Sequence, residues 1–541
     1  MAWDEYNIAK RFLRFEGPSA SLQGENVTNN VNIADTPRRN FGHALPGVLS
    51  WAAIVVTFLG ALLAPRVWLF VATVVIAYFM VRMLTTLVFA FRGERLTAES
   101  RERDWTLGED EAGPFGFAPS DVCHIVVIPN YKEPEDILRR TLDGLAAQHR
   151  AGERIIPVLG MEERERNARA KGEALASEYA EKFRHVLVTV HPGNILGEEP
   201  GKSSNEAWAA KQARKMVDGL GLDPELTTIT SCDADSVLHP KYFSAVAQGF
   251  AIEAQRHLSF WQAPLLYYNN IWQVPAPIRF TTWLSHAVQV AELAMPFYNP
   301  LPISTYTLSL NLAERCGWWD PSVIPEDWHE YLNCLFETGE EITTRAVFLP
   351  TMADATDGDG FKDAMVNRFH QVKRHAWGAE DVGYIVGQLT ERPSSMRSST
   401  AFRFGQVLHD HVMRVAMWFV LVSVYILMAY YARIPWYSGE YHSATAHNVT
   451  LLRAMFTVGG LSMLSTILFE LWRCPPPDGV SKFKTALENA LLWPMLPLIG
   501  FYLGTLPALE AQTRLMLGIP LGYRVTPKFA VAKVAVPSKA A

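Results

Sequence analysis

The apolar residues of this chain are gathered into blocks before residue 92 and after residue 411, with an ordinary globular mixture between them. That distribution leaves few folds open: lipid-embedded helices at both ends and an aqueous domain in the middle. Leu45–Leu63 and Val67–Phe91 are each long enough to cross a bilayer, which takes ~20 apolar residues. Only Ala64-Pro65-Arg66 separates them, so residues 45–92 read as a helical hairpin. Arg38 and Arg39 precede it, and Arg92, Arg95, Arg101 and Arg103 follow it. The positive-inside rule then places both flanks, including the segment 1–44, in the cytoplasm. Arg82 interrupts the second span, either snorkelling to the cytoplasmic face or facing the bundle beside a polar path.

Three apolar blocks follow the middle: Val412–Tyr431, Ala454–Phe469 and Leu491–Leu506, within a membrane region of 412–510. Pro494, Pro497 and Pro507 make the last a kinked span or a re-entrant hairpin. Residues 396–411 are basic and amphipathic, which suits a helix in the membrane interface. The tail 511–541 is basic and prefers the cytoplasm, in conflict with five simple spans. Hydrophobic residues at 49% and charged residues at 19% agree with a multi-pass protein of the cell (inner) membrane. A net charge of −6 gives no reason to expect nucleic acid as a partner. The five cysteines are scattered, without a C-x-x-C pair, and read as reduced, buried thiols of a cytosolic compartment. No cleavable signal peptide is visible at the N-terminus.

The aqueous domain, residues 93–395, alternates short apolar runs with helical patterns. The strand-like runs are Cys123–Ile128, Ile155–Leu159, Val186–His191, Leu226–Cys232 and Ser259–Ala263. Helical stretches cover Glu135–Gln148, Glu162–Phe183, Asn205–Leu220 and Pro240–Ala254. This pattern predicts an α/β fold with a mostly parallel sheet, whose ligands bind beyond the carboxyl ends of the strands. Neither G-x-G-x-x-G after the first strand nor G-x-x-x-x-G-K-[ST] is present, against a dinucleotide or P-loop site.

Four stations fall on that edge. The first strand ends in Pro129-Asn130-Tyr131, followed by Lys132-Glu133-Pro134; Pro134 suits a helix start, and Tyr131 is free to stack on a base. The second ends at Glu162, able to accept a hydrogen bond from a base N–H, or simply starting a helix. A Gly-rich loop leads to Lys202, a phosphate contact or a solvated lysine. The fourth ends in Asp233-Ala234-Asp235. Two carboxylates at a strand end can hold a divalent cation beside a nucleotide diphosphate, although such pairs also cap turns. Downstream, Glu326 and Asp327 open a helix, and Gln371 and Arg374 share a helical face. Guanidinium matches phosphate in a bidentate manner.

In this order the residues resemble the membrane-embedded glycosyltransferases of family 2 with the GT-A fold, such as the cellulose, chitin and hyaluronan synthases and ceramide glucosyltransferase. The marks are Pro129-Asn130-Tyr131, Asp233-Ala234-Asp235, Pro325-Glu326-Asp327 and Gln371-Val372-Lys373-Arg374-His375, over residues 120 to 380. The resemblance implies inverting transfer of a sugar from a nucleotide-sugar donor, a uridine-linked one, onto a growing polysaccharide. Transfer of one sugar to a lipid acceptor is the alternative, and a transport or scaffold protein with a degenerate transferase domain the reading from another class. By the resemblance, Pro129, Tyr131, Glu133, Glu162, Lys202 and Asp233 meet the donor. Asp235, with Asp233, holds Mg²⁺ or Mn²⁺. Asp327 is the general base with Glu326 beside it, and Gln371, Arg374, His375 and Trp377 meet the diphosphate and the acceptor. The chain departs from the family in having Pro325 for Thr, His375 for Trp with Trp377 two residues on, and Glu162 where an Asp reads uracil. Ser304-Thr305-Tyr306 falls where the family shapes its acceptor cleft.

Overall fold

A computed structural model of the chain describes residues 39–430, 442–477 and 481–522. The expectations for residues 1–38, for the loop 431–441 and for the tail beyond 522, with Arg524, Lys528, Lys533 and Lys539, lie outside the described residues.

Two helices open the structure, α1 (Phe41–Leu63) and α2 (Pro65–Glu102). Pro65 starts α2 where its missing N–H costs nothing. The helix then runs unbroken for 38 residues, about 57 Å at 1.5 Å per residue. The boundary expected at residue 92 therefore falls inside one rigid element. The α/β part follows as β1 (Cys123–Asn130), α3 (Glu135–Ala146), β2 (Ile155–Glu162), α4 (Ala168–Tyr179), β3 (Leu187–His191), α5 (Lys202–Gly219), β4 (Thr227–Ser231) and α6 (Tyr242–Ile252). Next come β5 (Ser259–Gln262), β6 (Leu265–Leu266), α7 (Ala276–Ala294), β7 (Tyr306–Ser309), α8 (Glu326–Thr338), β8 (Thr343–Ala346), β9 (Thr351–Met352), α9 (Phe361–Trp377) and α10 (Asp381–Glu391). The C-terminal part holds α11 (Ser398–Tyr430), α12 (His442–Arg473), α13 (Lys482–Leu492) and α14 (Leu506–Leu517).

Among the described residues seven strands form one sheet, in the order β3-β2-β1-β4-β7-β5-β8. β3, β2, β1 and β4 are parallel, β7 is antiparallel to β4 and β5, and β5 is parallel to β8. The α/β fold with a mostly parallel sheet is the one expected. Its register follows the alternation of β1: Val126 and Ile128 point to one packed face with Leu138, Leu142 and Phe250. Ile125 and Val127 point to the other with Ala210, Tyr306 and Trp319. Burial on both faces is why these strands read as continuous apolar runs. β7 and β8 were not anticipated. Glu162 ends β2 rather than starting a helix, since Asn167 in a left-handed conformation delays α4 to residue 168.

Among the described residues four helices are long and apolar enough to cross a membrane: α1, α2, and most of α11 and α12. The separate interface helix expected over 396–411 is not separate: from Ser398 it is the start of α11. The block 491–506 is helical but irregular: a 3₁₀ turn at Trp493–Met495, a short α segment at Leu496–Gly500 and a π-helical turn at Phe501–Thr505 lead into α14. The five cysteines are unpaired and buried.

One buried network ties the α/β part to the membrane helices. Tyr268 Oη donates to Glu470 Oε2 of α12 at 2.6 Å, and His286 Nδ1 of α7 lies 3.1 Å from the same oxygen. Arg473 joins Glu470 at 3.1 Å and Glu94 of α2 at 2.7 Å. Glu470 and His286 are fully buried. Breaking a buried ionic network costs about 3–5 kcal/mol because a charge is left unpaired. Glu470→Leu is therefore expected to lower the melting temperature of the detergent-solubilised protein clearly, followed by intrinsic fluorescence; an unchanged transition would show that the network does not carry the docking.

Candidate active site

The carboxyl ends of β1, β2 and β4 open on a cavity of about 1520 Å³ that continues between α2, α7, α11 and α12. At the end of β1, Glu133 closes the turn: its Oε2 accepts from Asn130 Nδ2 at 2.8 Å and from the Tyr131 N–H at 2.6 Å. Lys132 takes a positive φ of 69° there. The Tyr131 ring faces Arg164 at 4.7 Å and Lys132 at 4.8 Å. Glu162 is buried beside Arg164; burial pushes its carboxyl up and Arg164 opposes the shift. Pro129, Tyr131, Glu133 and Glu162 all line the cavity.

The two acids after β4 diverge. Asp233 turns toward α5, pairing with Lys202 Nζ at 2.9 Å and accepting from the Ser304 hydroxyl. Asp235 is buried, and its Oδ2 accepts from the Asp354 N–H at 3.0 Å. Asp354 in turn receives Arg140 Nη2 at 2.8 Å on both oxygens and Asn269 Nδ2 at 2.9 Å. Both Asp233 and Asp235 reach the cavity wall.

Lys202 was expected to meet a phosphate. Its ammonium instead sits among acids: Glu326 at 2.5 Å, Asp233 at 2.9 Å, Asp327 at 3.5 Å and Glu206 at 3.9 Å. Burial penalises the charge, yet Asp233, Glu206, Glu326 and Asp327 together raise the lysine well above its usual value. The acids outnumber the cation. Burial first, then Glu326, lift Asp327 well above the usual carboxylate range against the pull of Lys202. Burial also lifts Glu206 to about 8.

Ser304 organises this cluster. Its N–H donates to Asp327 Oδ2 at 2.7 Å, its carbonyl accepts from Lys202 Nζ at 2.8 Å, and its hydroxyl donates to Asp233. It does so at φ 57°, the left-handed region that a serine rarely adopts and that clusters at functional sites. On the opposite wall, Gln371 Oε1 accepts from Thr356 Oγ1 at 2.5 Å and Arg368 Nη1 at 2.6 Å. Arg374 and His375 line the cavity beside it. Trp377 does not. It is buried against Ile54 and Ala508, and its Nε1 donates to Glu380 at 2.9 Å.

Sequence reasoning missed Glu206, Asp354 and Arg368. Glu206 had a signal, a Lys-Glu pair four residues apart on α5. Asp354 had none, because it meets Asp235 only through the pairing of Val237 with Met352 across β9.

Among the described residues no group of three His, Cys, Asp or Glu side chains could hold a metal ion by itself. The donor set still fits Mg²⁺ or Mn²⁺. Such ions take one or two carboxylates and complete their shell from substrate phosphates and water. Asp233 and Asp235 are the two carboxylates of the tripeptide after β4, and both reach the wall.

No family model matches the chain, and no curated protein matches it. Among solved structures, it is similar to the mannosyltransferase PcManGT from Pyrobaculum calidifontis, solved with GDP-Man and Mn²⁺. The identity is 14%, over 75% of this chain and 99% of that one, with a TM-score of 0.38. It is also similar to TarS from S. aureus, at 12% identity, over 66% of this chain and 56% of that one, with a TM-score of 0.29.

A carboxyl raised from 4.5 to about 8 keeps a proton in the folded state that the unfolded chain releases. Its contribution to stability is complete below pH 4.5 and is lost as pH rises through 8. Glu206→Gln keeps an acceptor for Ser231 and removes the titration. The melting temperature of this variant, relative to wild type, is expected to rise between pH 5 and pH 9. A constant difference across that range would contradict the assignment.

Proposed function

We propose that the chain is a membrane-anchored inverting glycosyltransferase of the family 2 type, using a nucleotide-sugar donor, UDP-linked by the resemblance. The observation that carries this reading is the pairing of Asp327, a carboxyl of raised pKa, with Gln371 and Arg374 across one cavity at the carboxyl edge of the sheet. Tyr131 and Glu162 offer a stacking face and an acceptor for the base. Asp233 meets the nucleotide. When bound, Mg²⁺ or Mn²⁺ held by Asp233 and Asp235 supplies positive charge to the diphosphate.

Asp327 takes the proton of the acceptor hydroxyl. Burial and Glu326 raise its pKa, and a stronger carboxylate base suits that task. The acceptor oxygen then bonds to the anomeric carbon as the bond to the diphosphate oxygen breaks, and the electron pair leaves with the nucleoside diphosphate. Arg374 and Gln371 hold the departing group, and one displacement inverts the anomeric centre. The Ser304 N–H fixes the Asp327 carboxylate during this step, with Glu326 kept on Lys202. The acceptor is a growing polysaccharide, reached from the membrane side. The basic residues Arg92, Arg95, Arg101 and Arg103 that follow the first apolar stretch of α2 put the site on the cytoplasmic side.

Purified protein given nucleotide sugars with Mg²⁺ or Mn²⁺ is expected to release nucleoside diphosphate and to stop when the ion is chelated. Asp327→Asn is expected to lower turnover by roughly 10²–10⁴-fold, with donor affinity retained. Intact turnover in that variant would remove Asp327 as the base, and no turnover with any common donor would favour a degenerate scaffold.

A further inference from the structure

Beyond the acid end, the cavity wall changes sign. Arg368, Gln371 and Arg374 follow one another at intervals of three on α9, and Arg414 of α11 joins them on the lining. Arg368 reaches Gln371 at 2.6 Å, while its buried Nε has no hydrogen-bond partner. Arg368 and Arg414 make no ion pair among the described residues. His411 is 3% exposed, lines the same wall, and has neither ring nitrogen hydrogen-bonded. The nearby Asp410 is engaged with Arg82 at 3.5 Å and His409 at 2.9 Å. Burial lowers the Arg368 pKa, and the charge on Arg414 adds to that against the pull of Tyr267. Arg368 and Arg414, gathered in this way with Asp410 shared among Arg414, Arg82 and His409, form an anion site.

Its depth points to the source of the anion. Arg414 is the last charged residue before the uncharged run 415–429 of α11, so it stands where a polar helix end gives way to lipid. The lining around it mixes pliable apolar side chains, Met413, Met417, Met463, Leu284 and Val288, with the polar Ser285, Gln289 and Glu292 of α7. Thioether side chains of this kind adapt to irregular hydrocarbon.

We propose that the acceptor is a saccharide carried on a phosphorylated lipid. Its phosphate rests on Arg368, Arg414 and His411, its hydrocarbon lies between α7, α11 and α12, and its sugar hydroxyl reaches Asp327. The inference rests on the glycosyl-transfer reading. In the transfer, the saccharide hydroxyl gives its proton to Asp327 and its oxygen bonds to the anomeric carbon of the donor sugar. The bond between that carbon and the nucleoside diphosphate breaks, the electron pair leaving with the diphosphate. The lipid phosphate is unchanged.

The test is direct binding to the full-length protein in detergent, without turnover. The probes are a polyprenyl-diphosphate-linked monosaccharide, the same sugar on a neutral alkyl chain, inorganic pyrophosphate, and UDP. The charged lipid is expected to bind at least about tenfold more tightly than the neutral one, and Arg414→Gln or Arg368→Gln to weaken it about tenfold, with UDP affinity kept. Arg414→Lys should recover part of the loss at an unchanged melting temperature. Equal binding of charged and neutral lipids overturns the proposal. So does pyrophosphate binding as tightly as the lipid, which makes the source a free phosphate. An equal loss of UDP affinity in Arg414→Gln also overturns it, by assigning the cations to the donor. Failure of the wild type to bind UDP speaks only against the glycosyl-transfer reading, since the lipid comparisons are read independently.

Discussion

A single ammonium group holds the functional end of this molecule together. Lys202 gathers Glu326, Asp327, Asp233 and Glu206, and the Ser304 carbonyl, from the starts of α5 and α8, the end of β4 and the loop before β7. At 4 Å and an effective dielectric near 20, one such pair is worth roughly 4 kcal/mol before desolvation is charged against it. Without the lysine, buried carboxylates from separate elements would repel one another. With it they remain in surplus, and the surplus is chemically useful. Burial first, and then Glu326, raise the Asp327 pKa.

The cavity lining is mixed: carboxylates at the sheet edge, guanidinium groups of α9 and α11, and methionines of α11 and α12, with Arg82, Glu292 and Asp410 among the helices. The divergence of Asp233 and Asp235 fits the same arrangement. One acid belongs to the Lys202 cluster and the other to Asp354, Arg140 and Asn269, so they come from one tripeptide but are anchored in different parts of the structure.

The sheet was legible because its first four strands are parallel and buried on both faces, which writes them as apolar runs. β7 and β8 were not, since short antiparallel and edge strands leave only four residues of pattern. Most of the proposed site was legible as well, because its residues end strands or begin helices, where loop chemistry stands out. What escaped is what depends on contact between distant segments. Nothing local tells that Lys202 Nζ faces carboxylates rather than an open loop, or that Trp377 turns into the core against Ile54. The continuity of α2 and α11 was also hidden, because charged residues inside a helix look like the end of a membrane span.

That continuity has a mechanical side. Tyr78, Arg82, Thr85 and Thr86 of α2 line the same cavity as Asp233 and Asp327, and the helix carries them without a break from its apolar start at Pro65. A rod of this length answers a thicker or thinner bilayer by tilting. In a bilayer the part of the cavity wall carried by α2 would tilt with it, which couples bilayer thickness to the shape of the cavity.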